Sequence, residues 1–249
     1  MSLGTLALVA PDQPLPQRVS ENAHEAAEHV REKVREVKEE VKPHLRGWLH
    51  AATTPLALAA GVVLIVLSPT LTTRVGSAVF AGTALLLFAV SAVYHRGTWS
   101  PRSAAFLRRF DHSNIFLLIA GSYTPFTLIL LDGTKQNVLL AVVWGGAIAG
   151  VFFRIFWNHA PRWIYTPIYV ALGWVAIFYA KDFSAGGTAV ITLIAVGGAL
   201  YTLGGLVYGL KKPDPFPTWF GFHEVFHLLT IAAFVCHYVA ASIATYTLR

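Results

Sequence analysis

Residues 187–209 read GTAVITLIAVGGALYTLGGLVYG, 23 consecutive positions without a charged side chain. A helix rises 1.5 Å per residue, so about 20 residues cross the ~30 Å of a bilayer's hydrocarbon, with every backbone amide paired inside the helix. This stretch predicts a membrane-spanning helix. Working outward from it, apolar runs of similar length recur at 49–68, 75–95, 112–131, 137–157, 163–180 and 222–246. The expected fold is therefore an all-α membrane protein, a bundle of seven transmembrane helices over residues 48–249.

Composition agrees. Of the 249 residues 55% are hydrophobic and 13% charged, against roughly 25% charged in a soluble domain. Eight of the thirteen acids lie before residue 41. The net charge of +6 does not indicate nucleic acid, because past residue 47 the basic residues stand singly or in small groups between apolar runs. That is the pattern of membrane flanks. One cysteine, Cys236, excludes an intrachain disulfide and reads as a small buried hydrophobe. The apolar Gly4–Ala10 is too short for a signal peptide, so the first span is expected to direct insertion.

Residues 1–47 form a separate charged region. From 17 to about 45 Glu alternates with Lys and Arg, while Ala23, Ala26, Val30, Val34, Val37 and Val41 recur every three or four positions. This predicts a short amphipathic helix outside the membrane, ending near Pro43. Seven spans put the termini on opposite sides. Lys and Arg number fifteen in the tail and the loops on its side, against four on the other (Arg74, Lys135, Lys181 and Arg249). The excess predicts a cytosolic N-terminus and an external C-terminus. Gly146 with Gly150 and Gly205 with Gly209 read as packing notches, and Pro125 and Pro167 are expected to bend the third and fifth helices.

Ionisable groups inside spans are costly, and each calls for a functional explanation. In this topology the second span ends on the cytosolic side at His95, the third starts there at Asp111, and the seventh starts there with His223 and His227. These four residues arrive at one membrane depth. His223 and His227, four apart on a helix, share a face and can close on one ion; His95 supplies a third nitrogen. Three imidazoles suit zinc better than magnesium or calcium, which take oxygen ligands. Asp111 is then an oxygen ligand or, through water, a base. Ser91 lies one turn before His95 on the same face and is placed to bond a neighbouring group or a substrate oxygen. His112, about 100° round the helix from Asp111, reads as a polar boundary residue, and His237 lies near 15 Å deeper than His227.

His223–His227 also reads HEVFH, the HExxH pattern of zinc proteases in which the glutamate, here Glu224, is the general base. An intramembrane protease would pair it with a Leu-Asp-Gly element. Leu131-Asp132-Gly133 is present, but at the external end of the third span, a bilayer away from the histidine pair.

Three blocks together, Ser91-Ala-Val-Tyr-His95, Asp111 leading into Ile119-Ala-Gly-Ser-Tyr-Thr-Pro125, and Phe220-Gly-Phe-His-Glu-Val-Phe-His227, resemble the haemolysin III family. That family is grouped with the adiponectin and progestin receptors and, more distantly, the alkaline ceramidases. The resemblance covers roughly 47–249. It implies a seven-helix bundle with a cytosolic N-terminus, zinc held by His95, His223 and His227, and Asp111 next to the water beside the metal. The expected function is zinc-dependent hydrolysis of a lipid amide, with Asp111 as proton acceptor, Ser91 steadying the developing oxyanion, and substrate entering sideways from the membrane lipids of a bacterial inner membrane. The alternatives are a receptor or regulator of membrane state with structural zinc, a cytolytic pore, and an intramembrane protease.

Overall fold

The computed structural model describes residues 43–157 and 160–247, together with His24, Ala27 and Glu28. These three are helical, with His24 Nδ1 3.8 Å from Glu28 Oε1. The rest of the expected amphipathic helix, up to Lys42, lies outside the described residues. The chain divides into a unit of residues 1–42 and a compact unit that begins at Pro43.

Among the described residues there is no strand, and seven helices are long and apolar enough to cross a membrane. They are α1 (Trp48–Leu67), α2 (Leu71–Arg96), α3 (Pro101–Leu130), α4 (Gly133–Phe156), α5 (Arg162–Gly173), α6 (Thr188–Leu210) and α7 (Phe222–Tyr246). Past α5 the fifth crossing continues to Gly186 through a 3-10 segment, Trp174–Tyr179, and two short turns. Neighbours in sequence pack in pairs: α1 on α2, α2 on α3, α3 on α4 and α6 on α7. α3 is the most enclosed helix, burying a continuous stretch from Ala120 to Thr127. Large apolar side chains such as Leu56, Val62, Phe152 and Leu206 face outward, as lipid-facing positions should.

Two helices differ from the sequence reading. α3 begins at Pro101, not near Asp111, because Ser100 caps it, accepting the Ser103 N–H at 3.3 Å, and proline fits the first turn. Arg102, Arg108 and Arg109 look like a loop in the sequence, but they ride on three helical turns before the apolar part. α5 runs past Pro167 and stops at Gly173. There Tyr123 of α3 replaces the missing backbone ladder: its hydroxyl donates to the Gly173 carbonyl at 2.5 Å and accepts the Ala176 N–H at 2.7 Å. In a bilayer, where water cannot pair such groups, this side chain makes the broken helix tolerable.

The expected glycine notches are realised unequally. A Cβ on Gly150 would collide with the Phe116 ring, and one on Gly146 would lie 2.7 Å from Leu172. Gly205 and Gly209 have ordinary room, their nearest neighbours at 3.4 and 3.9 Å.

Candidate metal centre

α2 delivers His95 from its last turn, α3 delivers Asp111 from its third turn, and α7 delivers His223 and His227 from its first two. All four are buried, as is Ser91 one turn before His95. His95 Nε2 lies 3.1 Å from His223 Nε2 and 3.6 Å from Asp111 Oδ2. The three histidines each offer a ring nitrogen such that all lie within 4.8 Å of one another. The sequence-predicted residues are thus brought together.

The donor set fits a metal. Two neutral imidazole nitrogens facing each other at 3.1 Å can share at most one proton, and buried His227 Nδ1 has no hydrogen-bond partner. Nitrogens bound to one tetrahedral zinc at 2.0–2.1 Å sit roughly 3.3 Å apart, and nitrogen ligands of this kind are what zinc prefers.

The surroundings hold the cluster in place. Gly47 adopts φ +80°, and a Cβ there would lie 2.7 Å from His95 Cβ; glycine alone lets the chain cross His95 so closely before α1 begins. The segment before it is tied to the loop ahead of α7, since the His44 and Leu45 amides donate to the Thr218 and Trp219 carbonyls at 3.0 and 3.2 Å. Glu224, the glutamate of the HExxH pattern, is fully buried and is not one of the convergent group. Its carboxylate accepts the Gly221 N–H at 2.9 Å and pairs with the Arg46 guanidinium. Asp132 of the Leu-Asp-Gly element precedes α4, twenty-one residues along from Asp111 or about 30 Å of helix.

Two residues in the site were missed or misread from sequence. His50 in the first turn of α1 stacks on His227, ring centroids 3.7 Å apart and planes at 14°, and neither of its nitrogens has a partner. The depth argument that gathered the other histidines applies equally to position 50, and that was the available signal. His112 is no boundary residue. It lines the interior cavity and receives a 2.5 Å hydrogen bond at Nδ1 from buried Arg154, whose guanidinium also lies 4.4 Å over the Tyr165 ring. An arginine only donates, so the His112 ring proton sits on Nε2, toward the Tyr208 hydroxyl at 3.4 Å.

From the histidines a cavity of about 250 Å³ runs into the bundle. Its polar end carries His50, Ser91, Asp111, His223 and His227, and its far end Phe126, Phe183 and Ile191. Trp174, Ile177 and Ala195 line it while also facing outward, so the cavity reaches the surface between the irregular part of the fifth crossing and α6. There the Trp174 indole N–H donates to Thr202 Oγ1 at 2.9 Å.

The chain is similar in sequence to known proteins. Hemolysin-3 of Bacillus cereus is 32% identical over 186 residues, 73% of this chain and 82% of the relative. The Hemolysin-3 homolog of Bacillus subtilis (strain 168) is 36% identical over 146 residues, 58% of this chain and 68% of the relative. An adiponectin receptor protein of Drosophila melanogaster is 27% identical over 150 residues, covering 52% of this chain and 33% of its own length. The family described as Haemolysin-III related matches residues 38–238, from just ahead of α1 to the middle of α7 and including every residue of the cluster, so this multi-pass membrane chain belongs to the haemolysin III family.

Proposed function

We propose that the protein is a zinc-dependent hydrolase of lipid amides, ceramidase-like in its chemistry, that serves lipid homeostasis in a bacterial inner membrane. One observation carries the reading: His223, His227, a buried carboxylate and a buried serine line the polar end of a cavity whose walls are mostly apolar and which reaches the outer surface of the bundle, and His95 converges on the two histidines from beside it. Apolar walls with a few convergent polar groups are the ordinary form of a small-molecule site.

His95, His223 and His227 would hold the zinc. Bound there, zinc supplies a Lewis acid that polarises a carbonyl and lowers the pKa of water. Asp111, 3.6 Å from His95 Nε2, is the proton acceptor. The Ser91 hydroxyl donates to the amide oxygen as negative charge gathers on it. The apolar walls take the acyl chain and exclude bulk water, and the gap by Trp174 and Ile177 admits the lipid sideways. Membrane lipids are accordingly the partners of this site.

The experiment pairs metal content with turnover. Detergent-purified protein is expected to carry about one zinc per chain by elemental analysis, and His227→Ala to lose it. Asp111→Ala is expected to keep the zinc and to lose turnover of a ceramide-like amide by about 10²- to 10⁴-fold, the usual worth of a general base. Absence of metal from the wild type sinks the mechanism. Zinc without turnover of any acyl amide favours the second reading, a regulator of membrane state with structural zinc, to which the Drosophila relative's name as a receptor lends weight. The engagement of Glu224 with Gly221 and Arg46 counts against a protease, and the apolar lining of the cavity counts against an ion-conducting pore.

A further inference from the structure

His237 lies ten residues beyond His227 on α7, about 15 Å deeper along the helix axis. It lines the far part of the cavity, together with Tyr201 and the apolar side chains of Phe126, Phe183, Ile191 and Ile194. Its Nε2 is 3.3 Å from the Ile194 carbonyl oxygen. A carbonyl only accepts, so the proton of the neutral ring sits on Nε2 and Nδ1 is a bare acceptor. That Nδ1 is buried and has no partner. The Tyr201 hydroxyl is in the same position: buried, without a partner, on a side chain that lines the same cavity. The two rings meet edge to face, centroids 5.5 Å apart and planes at 66°. α6 packs directly on the imidazole at Gly197, where a Cβ would run into the ring, and the Phe126 ring stands 6.3 Å off at 81°. The histidine is held rigidly with its free nitrogen unsatisfied.

Leaving a donor or acceptor unpaired at this depth is costly, because the bilayer supplies no water and the neighbouring side chains are hydrocarbon. We propose that His237 and Tyr201 form a second polar subsite that recognises a hydroxyl group carried on the lipid chain about 15 Å from the metal centre. The chemistry selects a hydroxyl. It donates its hydrogen to His237 Nδ1 and accepts the Tyr201 O–H, satisfying both groups at once. A keto oxygen accepts from Tyr201 but leaves Nδ1 bare, and a methylene satisfies neither. The subsite rests on the reading that the cavity takes a lipid chain, and it narrows the substrate class to lipids hydroxylated along the chain.

The test measures binding, which does not require the metal chemistry. Purified full-length protein in detergent is loaded with a fluorescent fatty acid, which is then displaced by a positional series of mono-hydroxylated fatty acids of one chain length, their keto analogues and the unsubstituted parent. One hydroxyl position is expected to bind about five- to tenfold more tightly than the parent, the worth of hydrogen bonds made where none existed. Its keto analogue falls between. Tyr201→Phe and His237→Phe each weaken the preference and together erase it, while binding the parent as the wild type does, which also shows that the variants are folded. A series with no preferred position, or a preference that survives both substitutions, overturns the proposal and assigns the two polar atoms to a buried water. A preference in a protein that hydrolyses nothing upholds the subsite and sinks the hydrolase alone. Failure of every fatty acid to bind overturns the lipid-filled cavity and the subsite with it.

Discussion

Glu224 stands between His223 and a histidine four residues on, in the position that a protease would use for its base, yet its carboxylate is committed to Gly221 and Arg46. The sequence pattern supports either role; the partner decides, and that partner is 178 positions away and unreadable from spacing. Glu224→Gln keeps the shape but removes the charge that the Arg46 guanidinium meets. It is expected to lower stability in detergent by about 1.5–3 kcal/mol, the range for hydrogen bonds to charged groups, and to leave zinc content unchanged. Thermal unfolding beside elemental analysis checks this; unaltered stability with abolished hydrolysis would restore Glu224 as the base. The five marker residues Ser91, His95, Asp111, His223 and His227 were legible because topology fixes depth, and depth alone sorts which polar residues can meet. His50 obeys the same rule, but it stands alone near the start of α1 with no second histidine a turn away to draw attention to it.

Helix length was legible where apolarity and helix end together. α1, α6 and α7 begin and end within one residue of the expected 49–68, 187–209 and 222–246. α2 and α4 each start four residues earlier than the expected 75 and 137, because the polar first turns around Thr70–Arg74 and Thr134–Gln136 read as loop. α3 extends eleven residues ahead of its expected apolar run at 112–131 for the same reason, and the break after α5 depends on a tyrosine from another helix, which no local pattern reveals. Helix packing follows the same division. Glycine at 150 is forced by the Phe116 ring, whereas Gly209 has 3.9 Å to its nearest neighbour. Gly150→Ala is therefore expected to destabilise by about 1–3 kcal/mol through overpacking. Gly209→Ala is expected to be neutral or to stabilise by up to about 1 kcal/mol, since alanine favours the helix. Thermal midpoints of the two purified variants measure the contrast, and equal effects would mean that the α3–α4 contact is not close-packed.

For the whole molecule what matters is which way the bundle faces, because the candidate metal centre lies at one end of it. The end of α2, the first turns of α3 and α7 and the start of α1 all lie on the side where, over residues 43–247, the chain carries nine Lys and Arg against three on the other. From that asymmetry the positive-inside tendency predicts an orientation, with the histidine cluster expected just beneath the cytosolic surface and the far end of the cavity toward the outer leaflet. Two exposed positions test it in a background where the single cysteine is removed by Cys236→Ser: Ser100→Cys between α2 and α3, and Thr134→Cys at the start of α4. A membrane-impermeant maleimide added to intact cells with a permeabilised outer membrane is expected to label Thr134→Cys and to reach Ser100→Cys only after lysis. The reverse pattern would place the centre outward, and the proposed hydrolase would then draw its water from outside the cell. With the expected pattern the water would come from the cytosol, while both products of a ceramide-like amide, a fatty acid and a long-chain amine, would return to the bilayer. That arrangement suits the proposed reaction, in which the polar end meets water and the apolar cavity opens beside Trp174.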